Sequence, residues 1–286
     1  MFRSKKNNKE RKGNTVAKKK YPKKTVYYDS FLQDFDGGDL PEKPLPEDFK
    51  YVKRSFGARL LSGFLYRCFA TPLAFFWSKL VLRERIIGRE KLKPYRGGCV
   101  FLFGNHTQPM GDAFCPNVIA FPKRNYIIIG RKNLSVPVLG RMTPYLGGLP
   151  LPQDMKSAVD FSRAIKERAA EGAFITVYPE AHLWNYCSFL RPFIEESFSY
   201  PVRQNAPSFA FTRVYKRCRF GVRSEIYIDG PFLPDGSLSY AESRRRLSEE
   251  VKEAMEARLA LSDVEVVEYK MRDVADGATG EESPNE

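Results

Sequence analysis

The chain has 286 residues, a length that suits one large domain or two modest ones, and its 47 Lys and Arg against 34 Asp and Glu give a formal net charge of +13. Residues 1–24 hold eleven basic side chains and a single acidic one, Glu10, so this short tail carries +10 and the rest of the chain only +3. A charge confined to a tail removes most of the case for a basic nucleic-acid-binding domain, and with 43% apolar and 14% aromatic residues the chain is not wholly disordered.

Taken in chain order, residues 1–50 read as a disordered basic tail and linker. The tail has no apolar stretch of the secretory kind, which points to the cytoplasmic side. The linker, Tyr21 to Lys50, contains Gly37-Gly38 and Pro22, Pro41, Pro44 and Pro46. Residues 51–85 follow as a helical segment. Phe56 to Leu82 is dense in Leu and Phe but carries Arg59, Arg67 and Lys79, with Pro72 in its middle. No run of about 18 uninterrupted apolar residues occurs, so an ordinary membrane-spanning helix is not expected. Two amphipathic pieces separated at the proline fit better, either lying at a membrane surface with the cations reaching toward headgroups or packed as core helices.

Residues 86–265 alternate between short apolar runs and helical patterns. Cys99–Phe103, Tyr126–Ile129, Phe174–Tyr178, Ser208–Val214 and Glu225–Ile228 read as strands. Asp154–Ala170 places Ala158, Phe161, Ile165 and Ala169 on one helical face and stops at Gly172. Tyr240–Leu261 is a charged amphipathic helix. Such alternation predicts an α/β fold, a largely buried mixed sheet flanked by helices and preceded by the amphipathic segment. Residues 266–286 are mostly acidic, small and polar and read as a disordered tail. The five cysteines, Cys68, Cys99, Cys115, Cys187 and Cys218, are odd in number and lack any C-x-x-C pair, so neither a disulfide framework nor a zinc site is indicated.

Only two histidines are present, His106 and His182, and each follows a predicted strand. A histidine at a strand end is held rigidly yet open to a cleft, and its side chain titrates near neutrality, as a general base for a hydroxyl must. Asp112 is the local carboxylate that could orient it; the alternative is a turn in which Asn105 and Asp112 cap loops. No G-x-S-x-G elbow accompanies the pair, so direct transfer to a substrate hydroxyl is simpler than covalent catalysis. Neither G-x-x-x-x-G-K-[ST] nor G-x-G-x-x-G occurs, which sets aside nucleotide hydrolysis and dinucleotide chemistry. Glu180 and His182 fall at the same kind of strand end and could position an acceptor, form half of a metal site without a third ligand, or serve as cap and packing. Arg131, Lys132 and Arg191 are the cations that could meet an acidic substrate group.

The order of these motifs resembles the glycerolipid acyltransferase family, which includes bacterial 1-acylglycerol-3-phosphate acyltransferases. The resemblance spans Ile86 to Pro231, about half of the chain. IIGREKLKPYRGGCVFLFGNHTQPMGDAF is similar to the Asn-His...Asp block, and GRKNLSVPVLGRMTPYLGGLPLPQD to the second segment. FITVYPEAHLW sits where the family has Pro-Glu-Gly-Thr-Arg, and RQNAPSFAFTRVY resembles the late proline-strand block. Two departures stand out. Five residues, Thr107 to Gly111, separate His106 from Asp112 where the family has four, which calls for a bulge that Gly111 would ease. Ala181-His182 replaces Gly-Thr, and Leu183 stands where an arginine is usual.

The resemblance implies transfer of a fatty acyl group from acyl-CoA or acyl carrier protein to the hydroxyl of a lysophospholipid, with the thioester as co-substrate and no metal or redox cofactor. It implies His106 as base and Asp112 as its orienting partner, with Asn105, Arg131, Lys132, Glu180, His182 and Arg191 toward the acceptor. The oxyanion would be held by backbone N–H groups of the His106 turn or of Gly147-Gly148. A thioesterase using the same pair, or a lipid-binding protein without catalysis, are the competing readings. The expected partners are an anionic membrane surface, touched by the basic tail and the apolar segment, and not nucleic acid.

Overall fold

The computed structural model describes residues 24–35, 41–137, 139–219 and 221–272. Most of the basic tail, Gly37-Gly38 and the acidic run after Arg272 lie outside the described residues. Strands in chain order are β1 (Lys24–Tyr28), β2 (Arg85–Ile87), β3 (Val100–Gly104), β4 (Asn125–Ile129), β5 (Gly148–Pro150), β6 (Phe174–Val177), β7 (Ser208–Cys218), β8 (Gly221–Phe232) and β9 (Val267–Met271). Seven of them form one sheet in the order β2-β8-β7-β3-β6-β4-β5. It is mixed: β7 and β8 are antiparallel, while the other neighbouring pairs, β2–β8, β7–β3, β3–β6, β6–β4 and β4–β5, are parallel.

Side chains alternate across a strand, and β3 uses this fully because both of its faces are covered. Phe101 and Phe103 enter a core with Phe161 and Ile165 of the helix Met155–Ala170 and Leu247, Val251 and Met255 of the helix Tyr240–Leu259. Val100 and Leu102 enter the opposite core with Cys115 and Ile119 of the helix Gly111–Ala120. Capping boxes start two of these helices, Asp154 with Ser157 and Ser239 with Glu242, which satisfies N–H groups that helix geometry leaves unpaired. The expected α/β architecture is therefore what the chain adopts, with β7 and β8 longer than their sequence runs suggested.

Three expectations are corrected. First, Phe56–Val81 is one continuous helix of 26 residues, not two pieces. At about 1.5 Å per residue it extends about 39 Å, and by length and composition it could cross a membrane. Pro72 does not break it because a π-helical turn, Leu65–Ala70, precedes the proline. There Thr71 N–H bonds to Tyr66 O, five residues back, and the Thr71 hydroxyl bonds to the same carbonyl at 2.8 Å. The widened turn absorbs the ring, and Pro72 falls in the first turn of the next helical piece, where a missing N–H costs little. Second, Lys24–Tyr28 is a strand rather than linker. It pairs in parallel with β9, which itself lies in the segment expected to be a disordered tail. Third, Val267–Met271, expected to be disordered, is a strand, and the two-stranded sheet it completes closes over Trp184, whose ring centroid is 4.7 Å from those of Tyr28 and Tyr269 and 5.2 Å from that of Phe35.

The apolar helix is inverted relative to a core helix. Ser62, Tyr66, Thr71, Ala74 and Ser78 face the protein and are buried, whereas Phe56, Leu60, Phe64, Phe69, Leu73, Phe76 and Leu80 are exposed. Polar contacts dock it along its length: the Ser62 hydroxyl bonds to Tyr145 O at 2.7 Å, and Tyr66 Oη to Asn117 Oδ1 at 3.2 Å.

Candidate active site

β3 ends at Gly104, where the Phe211 ring packs so closely that an added Cβ would lie 2.1 Å from it, so the chain must carry glycine there. Asn105 then locks the strand end to β7: its Nδ2 donates to Arg213 O at 3.0 Å and its Oδ1 accepts from Arg213 N at 2.8 Å. With both amide atoms used and the residue buried, Asn105 holds the backbone rather than a substrate.

The turn that follows brings His106 and Asp112 together. His106 Nδ1 lies 2.9 Å from Asp112 Oδ2, and the imidazole is 22% exposed. No described residue makes a hydrogen bond to Nε2. The five residues between His106 and Asp112 are accommodated by a turn at Met110, not at Gly111. Met110 has φ 58° and ψ −39°, and Gly111 N–H bonds back to Pro109 O, which is a γ-turn of the rare positive-φ kind. Asp112 thereby lands in the first turn of Gly111–Ala120. Its Oδ2 also accepts from Thr107 N and Gln108 N, both at 2.9 Å, and its Oδ1 from Arg213 Nη2 at 3.3 Å. Tyr178 stacks on the His106 ring at 4.4 Å between centroids, and its hydroxyl donates to Asp112 O at 2.6 Å. Burial, with the Asp112 charge adding to it, pushes the Tyr178 phenol well above its usual range, so it stays a neutral donor.

Glu180 and Arg191 come to this site, but from behind it. Glu180 Oε2 accepts from His106 N at 2.7 Å and from Arg191 Nη2 at 3.0 Å; Glu180 Oε1 accepts from Arg191 N at 2.8 Å. Arg191 Nη2 also donates to His106 O at 3.0 Å, and its guanidinium lies 5.0 Å from the Trp184 ring centroid. The pair thus grips both backbone polar groups of His106. At 5% and 1% exposed, neither residue can reach an acceptor, which corrects the expectation for both. A loop that must bury its backbone needs such internal partners, and a buried charge needs an opposite one.

Arg131 and Lys132 follow β4, which lies two strands from β3 across the sheet, about 10 Å at ordinary strand spacing. Both are ion-paired to the segment that follows β1. Arg131 pairs with Glu42 and donates to Pro152 O at 3.1 Å, and Lys132 pairs with Asp34. His182 Nδ1 lies 3.6 Å from the same Asp34 carboxylate. Gly147 precedes and Gly148 begins β5, three strands from β3, too far to meet an oxyanion at His106. The N–H groups of His106, Thr107 and Gln108 are all taken by carboxylates. Among the described residues no group of three His, Cys, Asp or Glu side chains could hold a metal ion.

Sequence reasoning missed Arg213, Glu84 and Tyr178. Arg213 had a signal: a cation inside the apolar run SFAFTRVY must be paired if that run is a buried strand. Glu84 and Tyr178 had none, since only the fold brings them to the turn.

No family model and no curated protein matches the chain. Among solved structures, the crystal structure of the 1-acyl-sn-glycerophosphate (LPA) acyltransferase PlsC from Thermotoga maritima is similar over 71% of this chain and 95% of that one, with 18% sequence identity and a TM-score of 0.46.

Proposed function

We propose that the protein is a membrane-seated acyltransferase that moves a fatty acyl group from an acyl thioester, acyl-CoA or acyl carrier protein, to the hydroxyl of a lysophospholipid such as 1-acylglycerol-3-phosphate. The observation that carries this reading is the His106–Asp112 contact at 2.9 Å, with no described residue hydrogen-bonded to the ring's other nitrogen. The motif order of the sequence supports the substrate class. In the reaction, His106 Nε2 takes the proton of the acceptor hydroxyl as its oxygen attacks the thioester carbonyl. Asp112 holds Nδ1–H and stabilises the imidazolium. The C–S bond then breaks, and the imidazolium returns the proton to the departing thiolate.

The exposed apolar face of Phe56–Val81 suits the bilayer, where both acyl chains reside. Its polar flank is docked on the domain, which favours a helix lying in the surface. The Trp77 ring is 5.9 Å from Phe114, two residues past Asp112, so the helix end abuts the catalytic turn. The basic tail would add attraction to anionic headgroups, about 1 kcal/mol per cation near the surface before screening. For the acceptor's anionic group, Arg131 and Lys132 remain the cations that could be offered, with the His182 ring beside them as a further hydrogen-bonding group, in competition with Asp34 and Glu42.

A panel of thioester donors and lysophospholipid acceptors, with products identified by mass spectrometry, tests the proposal. Wild type should give acylated lipid, and His106→Ala should lower kcat by about 10²–10⁴-fold. Free fatty acid as the sole product would make the protein a thioesterase, and equal rates in both would remove His106 as base.

A further inference from the structure

Arg213 lies in β7, a strand covered on both faces, and is only 1% exposed. A buried guanidinium requires opposite charge, and here two carboxylates from distant parts of the chain supply it. Nη2 donates to Asp112 Oδ1 at 3.3 Å, while Nη1 pairs with Glu84 and donates to the Ser224 hydroxyl at 3.0 Å. Glu84, 3% exposed, in turn accepts from the hydroxyl of Ser78 on the apolar helix at 2.5 Å. An unbroken polar run therefore leads from that helix through Glu84, Arg213 and Asp112 to His106.

We infer that Arg213 and Glu84 are positioning residues for the Asp112–His106 pair: Arg213 fixes the second carboxylate oxygen, and together with Glu84 it sets the charge that the His106 ring meets. The inference rests on the reading of His106 as the general base. Two carboxylates and one guanidinium leave a net single negative charge beside the ring, which balances the imidazolium formed during turnover. Neutralising Glu84 removes that balance and disfavours the imidazolium; removing Arg213 doubles the negative charge and favours it. Removing both restores the original sum.

The other groups that face His106 and Asp112 stay fixed across these changes. Tyr178 is neutral, and Glu180 and Arg191 form a closed pair on the His106 backbone. Burial pushes the Cys115 thiol and the Tyr215 phenol upward, so both are uncharged. Lys79, which acts on Cys115 from the apolar helix, is unaltered.

With only two histidines in the chain, a ¹³C-histidine-labelled full-length protein in detergent micelles gives a ring titration that His106→Ala assigns. The midpoint should move to lower pH in Glu84→Gln and to higher pH in Arg213→Met, each by about 0.5 unit or more. It should return near wild type in Glu84→Gln/Arg213→Met, and the acid limb of kcat/KM should follow each midpoint. Unmoved midpoints, or shifts of the same direction in both single variants, would overturn the inference. If Arg213→Met fails to fold, Glu84→Gln and the double variant, which leaves no buried charge at positions 84 and 213, carry the test. The ring titration needs no turnover, so it separates this inference from the function. Activity retained in His106→Ala sinks the base, whereas an inactive His106→Ala with unmoved midpoints sinks only the positioning roles.

Discussion

Met110 is where the fold closes the five-residue spacing between His106 and Asp112. A side chain at φ 58° is strained by roughly 1–3 kcal/mol, offset only in part by the lower entropy its unfolded chain has relative to glycine. Met110→Gly should therefore raise stability by about 0.5–1 kcal/mol in denaturant unfolding, with kcat unchanged; a lower midpoint would mean that the exposed Met110 side chain holds the turn. Local sequence was a good guide at this scale wherever a partner lies within one turn, as with His106 and Asp112. It misjudged Asn105, Glu180 and Arg191 because residue type reports the capacity to bond, while direction depends on which buried backbone groups lack partners. Those groups belong to β7 and to His106 itself, more than ten residues away from each of the three except for the Asn105–His106 neighbours.

At the scale of elements, the segment after β1 lies across the cations that follow β4. Asp34 and Glu42 occupy Lys132, His182 and Arg131 much as an acidic headgroup would. Exposed pairs of this kind contribute about 0–1 kcal/mol each, so an anionic ligand can compete for them. Asp34→Asn combined with Glu42→Gln should lower KM for a phosphorylated acceptor a few-fold and leave KM for an uncharged acceptor unchanged; equal effects on both would detach these cations from the headgroup. The apolar helix offers its own reporter. Cys68 is exposed on it, whereas burial pushes Cys99 and Cys187 up to about 12 and Cys115 well upward. In a Cys218→Ser background, a thiol reagent at pH 8 should modify Cys68 first, and anionic vesicles should slow that reaction several-fold. An unchanged rate under conditions where the protein sediments with the vesicles would place the membrane contact elsewhere. Hydrophobic density alone marked this helix, but its continuity did not follow from sequence, because a π-turn that rescues a proline depends on one threonine and one carbonyl.

For the whole molecule, the strands that could be read from sequence are β3, β6 and the inner parts of β7 and β8, buried on both faces, and the partly buried β4. Continuous apolar runs mark them. The short edge strands β2 and β5 hold three residues each and owe their existence to neighbours. β1 and β9 were hidden for a further reason: Lys24 pairs with Val267, so neither strand has a local partner. That pairing imposes an order on assembly. Every strand of the large sheet, and with it His106, Asp112, Arg213 and Glu84, is synthesised before β9, and a domain can fold as its parts emerge. The cover that Tyr28 and Tyr269 form over Trp184 can close only afterwards. A newly made molecule thus passes through a stage in which its sheet can already be built while Trp184 still lacks the Tyr269 half of its cover.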